Sequence, residues 1–218
     1  FILSSLFMGA HWITYFYALQ FSNVAIGMLS LFTYPVITAL LEPLFFKVKL
    51  NPMHIVLGII VLIGIYILAP NFDLESSQVK GILIGVLSAL FYSLRLLILK
   101  QHTNKYHGST LMFYQILILS IVLLPALFMM DTSGIQTQFP FVILLALLTT
   151  AIGHTLFLQS LKYFSVSTAS IISSIQPIFG IILAYFFLNE IPTWNTFWGG
   201  LLILSTVVIE SIRSKKIA

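Results

Sequence analysis

Apolar positions along this chain neither alternate nor form a narrow stripe. They run on continuously in eight stretches: Ile2 to Phe21, Val24 to Phe46, Met53 to Ala69, Gly81 to Leu99, Leu111 to Met130, Phe139 to Leu161, Val166 to Leu188 and Trp194 to Ile212. Each approaches or exceeds the ~20 residues a helix needs to cross the hydrocarbon core. The segments between them are polar or marked by proline and glycine. Continuous runs exclude a membrane barrel, whose strands alternate. The pattern therefore predicts an all-α polytopic membrane protein with eight transmembrane helices. Composition agrees: 7% of the residues are charged, against about 25% in a soluble domain. A mean hydropathy of +1.06 excludes a soluble enzyme, a disordered tail and a coiled coil. Cysteine is absent, which removes disulfide and thiol chemistry. The net charge of +4 comes without a dense basic run, so no nucleic-acid partner is predicted.

Charge also orients the helices. With loops assigned alternately to two sides, Lys47, Lys49, Lys100, Lys105, Lys162, Arg213, Lys215 and Lys216 share one side. Lys80 lies on the other with Asp73, Glu75, Asp131 and Glu190. By the positive-inside rule the basic side is the cytoplasm, which holds the C-terminus. The localisation predicted is the cytoplasmic membrane, multi-pass.

An offset of 142 residues aligns the first three stretches with the last three without a gap. It pairs Val24 with Val166, Pro35 with Pro177, Phe45 with Phe187 and Gly58 with Gly200. Proline and glycine at one common offset inside helices signal an internal repeat. The charges of the equivalent loops differ: Lys47 and Lys49 stand opposite Glu190, and Lys162 opposite the uncharged Gln20. The copies are thus expected to be inverted in the membrane, the architecture of secondary transporters. Residues 1–70 would hold the last three helices of one repeat, 71–80 an extracytoplasmic linker, and 81–218 a complete five-helix repeat with a cytoplasmic tail. A chain opening on Phe1 and running straight into apolar residues then reads as a fragment with two helices missing upstream, eight of an expected ten.

The stretch YFYALQFSNVAIGMLSLFTYPVITALL and its echo FLQSLKYFSVSTASIISSIQPIFGIILAYFFLNEIPTWNTFWGGLLIL resemble the two halves of an EamA-like member of the drug/metabolite transporter superfamily. The second half matches better, through Pro177, the apolar run to Phe187, Glu190 and the paired Gly199 and Gly200; Val48 departs from the pattern where the second repeat has Glu190. The resemblance implies a ten-helix, two-repeat carrier with both termini in the cytoplasm. It implies export of amino acids, related metabolites or drug-like compounds.

Polar groups at depth are expensive and mark candidate sites. His11 and His154 lie near the middles of the first and sixth stretches, one position from being repeat mates. A histidine pair could carry a coupling proton, or simply bridge helices by a hydrogen bond worth about 0.6 kcal/mol. Tyr34–Pro35 and Gln176–Pro177 occupy matching mid-helix positions. Each proline should kink its helix and free backbone polar groups. With Ser30, Thr33, Ser173 and Ser174 one turn earlier, these are candidate substrate contacts, unless the hydroxyls bond back to their own helix. Tyr15, four residues from His11, and Tyr92 complete the substrate-site candidates. Gly81, Gly85 and Ser88 form a stripe of the small-xxx-small type, expected to make a close helix contact. Arg95 and Glu42 stand about one turn from the cytoplasmic ends of their helices, so both are expected to snorkel rather than to form a gating ion pair.

The leading function is thus a secondary transporter, an exporter of small metabolites by alternating access, coupled to protons if the histidines titrate. Neither a cofactor nor a metal site is implied. A non-transporting scaffold or receptor subunit is the alternative, with an intramembrane enzyme behind it. The only aspartates, Asp73 and Asp131, lie in loops, which excludes a membrane aspartyl dyad. No His-Glu-x-x-His motif or phosphate-binding loop occurs. His102 and His107 flank Lys105 in a loop and read as a solvated turn.

Overall fold

The computed structural model of the chain describes residues 1–68, 73–125, 128, 134–164, 166, 169, 173 and 175–214, and among them there are helices and turns but no strand. Asp131, Ser174, Lys215 and Lys216 lie outside the described residues. The helices are α1 (Ile2–Phe21), α2 (Val24–Leu31), α3 (Tyr34–Phe45), α4 (Pro52–Leu68), α5 (Ser77–Lys100) and α6 (Gly108–Leu123). They continue with α7 (Ile135–Leu145), a π-helical run over Ala146–His154, α8 (Thr155–Ser160), α9 (Gln176–Leu188) and α10 (Trp194–Ser214). Among the described residues, four segments are long and apolar enough to span a bilayer: Ile2–Phe21, Val24–Phe45, Ser77–Lys100 and Thr137–Ser160. Pro52–Leu68, Gly108–Leu123, Gln176–Leu188 and Trp194–Ile209 are shorter apolar helices.

Helix α5 is the axis of the bundle. Along it pack α1, α2 and α3; α6 covers α1 and α8; α9 lies on α2, and α10 on α4. The small-residue stripe is what brings α5 close to its neighbours. A Cβ added to Gly81 would come 2.7 Å from the Ser22 Cβ, and one on Gly85 2.6 Å from the Ser30 Cβ. In lipid, where apolar surface gives helices no reason to associate, such backbone approach is how they hold together. The pair α4 and α10 touches the same way, with a Cβ on Gly199 falling 2.8 Å from the Gly64 carbonyl oxygen.

Pro35 and Pro177, expected to kink their helices, each stand in the first turn of a helix. The chain leaves α2 at Leu31, turns through Phe32 and Thr33, and restarts in α3 with Pro35 in its first turn; Pro177 holds the same place in α9. The first N–H groups of a helix have no acceptor within it, so a proline there removes nothing and its fixed φ suits the turn. Helix-interior prolines occur elsewhere, at Pro43 and Pro140. The sixth apolar stretch, expected as one α-helix, carries wide π turns between α7 and α8, ending at His154. Two pairs of helix starts, Tyr34 and Gln176, and Pro52 and Trp194, each lie 142 residues apart.

Candidate functional site

The site is built on the face of α5 that carries Ser88, Tyr92 and Arg95, residues three and four apart and therefore stacked along one side of the helix. Against it stand α1 with His11 and Tyr15, the start of α3 with Tyr34, α6 with Met112 and Gln115, and the π-helical end with His154. His11 is buried, and its Nδ1 lies 2.8 Å from Ser88 Oγ, which in turn donates to the His11 carbonyl at 2.9 Å. A hydroxyl has one proton. With that proton on the carbonyl, Ser88 accepts from the ring, so the pair selects the Nδ1–H form of His11.

Tyr92 is the hub of the aromatic groups. Its ring centroid lies 4.7 Å from that of His11, 4.8 Å from Tyr34 in an edge-to-face contact, and 6.4 Å from both His154 and Phe157. His11 and Tyr15 stack at 6.1 Å, and Trp12 meets His154 at 6.2 Å. The two histidines thus approach one shared aromatic cluster without touching: Tyr92 neighbours both. Ser93 reaches the helix break, its hydroxyl donating to the Tyr34 carbonyl at 3.1 Å.

Arg95 overturns an expectation. It does not snorkel: it is 0% exposed, with its Cζ 5.7 Å from the Tyr92 ring centroid. Its Nε and Nη2 donate to Gln115 Oε1 at 3.3 and 2.9 Å, and Nη2 faces Met112 Sδ at 3.8 Å. One turn of side chain is enough to reach water only if the path is open, and here α6 closes it. Glu42 instead lies within electrostatic reach of Lys100, whose Nζ donates to the carbonyls of Leu161 and Phe164 at 2.5 and 3.0 Å.

The other predicted contacts are not gathered into this cluster as ligands. Ser30 and Thr33 are buried, but their hydroxyls donate to the carbonyls of Ile26 and Ser30, and Ser173 donates to Ala169. Gln176 is exposed while Pro177 is buried. These hydroxyls satisfy their own helix, the local competition that serine and threonine bring.

The EamA-like transporter family model matches residues 1–69 and 79–212, nearly the whole of the chain. The chain belongs to this family. An uncharacterized transporter of Archaeoglobus fulgidus is 30% identical over 200 residues, covering 90% of this chain and 70% of that protein. An S-adenosylmethionine uptake transporter of Rickettsia felis is 33% identical over 123 residues, 56% of this chain and 42% of that protein. The chain is also 24% identical over 211 residues to the pseudopaline exporter of Pseudomonas aeruginosa. It thus spans less than half the length of the rickettsial relative. A solved crystal structure 14% identical to the chain shares its fold, with a TM-score of 0.67 over 98% of this chain and 76% of that one.

In this EamA-like transporter, two members of the cluster escape a reading for deep histidines and helix breaks. Gln115 is a lone amide inside the apolar run of α6, and Trp12 follows His11 directly. An interior amide is itself a signal, since lipid offers it no partner.

Proposed function

We propose that this chain forms the core of a secondary transporter that exports small metabolites, such as amino acids or drug-like compounds, across the cytoplasmic membrane by alternating access. The observation that carries the reading is the buried set His11, Ser88, Tyr92, Arg95 and Gln115, clustered on one face of α5 in a largely apolar bundle. Ionisable side chains at depth are costly and are kept where they serve a path for substrate or ion. The two relatives with named cargo are both transporters of small molecules, which supports the same kind of cargo here.

The proposal includes an inverted repeat: residues 1–70 as three helices of one copy, 71–80 as the linker, 81–218 as five helices of the other, eight crossings with the C-terminus in the cytoplasm. Helix starts 142 residues apart support the repeat. Hydrogen bonds near the helix ends support the sidedness. Lys100 joins Phe164, Gln101 joins Phe45 and Arg213 joins His54 at the basic end, while Val24 joins Glu190 and Ser77 joins Phe21 at the other.

Proton coupling belongs to the same proposal, through His11 or His154. Uptake of a metabolite panel into everted vesicles, with and without a pH gradient, tests it. The expected result is saturable flux driven by the gradient and lost in His11→Ala or His154→Ala. Gradient-independent flux indifferent to both substitutions would return the histidines to packing. Absence of flux across the panel would favour a scaffold.

A further inference from the structure

Arg95 carries a positive charge that a protein does not neutralise by deprotonation. It is wholly buried, yet among the described residues it takes part in no ion pair. Its Nη1 has no hydrogen-bond partner, and neither has Nε2 of Gln115, the residue that holds its other two nitrogens. Two donors on a directly bonded pair of side chains are therefore left open together. Both residues are 0% exposed. Unmade buried hydrogen bonds are rare in native proteins and ask for a reason, and an uncompensated buried cation is the costlier case.

The four acids whose side chains the structure describes are engaged elsewhere. Glu42 lies by Lys100, Glu75 is 3.8 Å from Lys80, Asp73 accepts from the Glu75 N–H, and Glu190 accepts from the Val24 N–H. The side chains in contact with Arg95, Tyr92, Met112 and Gln115, carry no negative charge, and the two other titratable groups within its electrostatic reach are His11 and His154. A partner serving both donors would bring negative charge and two acceptor atoms.

We infer that Arg95 and Gln115 form an anion subsite that takes the carboxylate of a transported small molecule, one oxygen from Arg95 Nη1–H and the other from Gln115 Nε2–H. A hydrogen bond between guanidinium and carboxylate has charge on both sides and is among the strong ones, and the amide beside Arg95 adds a second donor. Tyr92, over whose ring the guanidinium lies, and the adjoining Tyr34 offer apolar surface to the rest of the same ligand. The subsite rests on the transporter reading above and narrows its cargo to carboxylate-bearing molecules. A purely cationic cargo would meet a like charge and two donors with nothing to accept.

Two measurements on the full-length protein test this separately from transport. In proteoliposomes, each of a set of amino acids is compared with its own carboxamide, which keeps the side chain and removes the anion. The acids are expected to be taken up at least about tenfold better, since a site built to bond a group rejects the analogue lacking it. Arg95→Gln is expected to abolish that preference. In detergent, sodium acetate is titrated against the melting temperature at constant ionic strength with chloride as reference. The wild type is expected to rise with acetate and Arg95→Gln to stay flat. Gln115→Glu guards against a variant that fails to fold, because it supplies Arg95 with an internal carboxylate. It is expected to fold, melt higher than wild type, and lose both the acetate response and the acid preference. Acetate stabilisation without flux would uphold the subsite and sink the transporter reading. Flux with equal rates for acids and amides, or an acetate response surviving in Gln115→Glu, would overturn the subsite and leave the transporter standing.

Discussion

The carboxylate of Glu190 accepts a hydrogen bond of 2.9 Å from the backbone N–H of Val24, the first residue of α2, across 166 positions of chain. Asn189 makes this reach possible. It takes the left-handed conformation, φ 55°, that ends α9, a conformation asparagine tolerates better than most residues. Asn23 caps the same helix end through Ile26 N–H, so two oxygens serve donors that have no helical acceptor. Removing the carboxylate in Glu190→Ala is expected to cost about 1 kcal/mol, a fall of about 2–4 °C in melting temperature in detergent. Glu190→Gln should lose less, because its amide oxygen can still accept. Equal melting of Glu190→Ala and wild type would show that the contact contributes nothing.

Ser88 and His11 exchange two hydrogen bonds between α5 and α1, in the interior of the bundle. Ser88→Ala leaves the His11 Nδ1–H without that acceptor. The expected loss is about 0.6 to 1.7 kcal/mol, the range found for hydrogen bonds between membrane helices. The ring is also freed to rotate away from Tyr92. Substrate affinity should therefore fall more than stability does, and a flux assay beside a melting curve separates the two. Unchanged affinity in Ser88→Ala would mean that the orientation of His11 does not matter to transport.

Gly199 and Gly64 bring the backbones of α10 and α4 together. A Cβ on Gly199 would sit 2.8 Å from the Gly64 carbonyl oxygen and 3.0 Å from Leu68 Cγ. Backbone cannot swing aside as a flexible side chain can, so Gly199→Ala must push the helices apart. We expect a loss of about 1–3 kcal/mol, as for overpacking elsewhere. Gly134, with nothing within 4 Å of the added carbon, is the control, and Gly134→Ala should leave melting within about 0.5 kcal/mol of wild type.

Much of the fold is legible along the chain because lipid simplifies the problem. A backbone that cannot bond to water must bond to itself, so a long apolar run has one outcome, a helix. The stripe Gly81, Gly85, Ser88 reads correctly as a helix contact for a similar reason: only small residues permit it. His11, Tyr34 and Tyr92 could be singled out because polar groups in such runs are few. The helix breaks at Tyr34 and Gln176 could be sited by proline. What proline could not tell was whether it kinks a helix or opens one, since that depends on whether the preceding residues keep helical dihedrals. Phe32, with ψ 13°, ends α2 before Pro35.

Membrane class and helical class follow from local physics: hydropathy and length act on each segment alone. Partner choice does not. Arg95, five residues from the end of α5, has a stem long enough to snorkel, and nothing in its own helix forbids it. Only when α6 lays Met112 and Gln115 across it does the charge become buried, and only then do its Nη1 and the Gln115 amide stand open together. The same holds for Ser30 and Ser88, two serines deep in apolar helices. One bonds back to its own helix and the other to His11, because α1 lies against α5 at that level. Burial and pairing are properties of neighbours far apart in sequence, so packing alone could bury this cation.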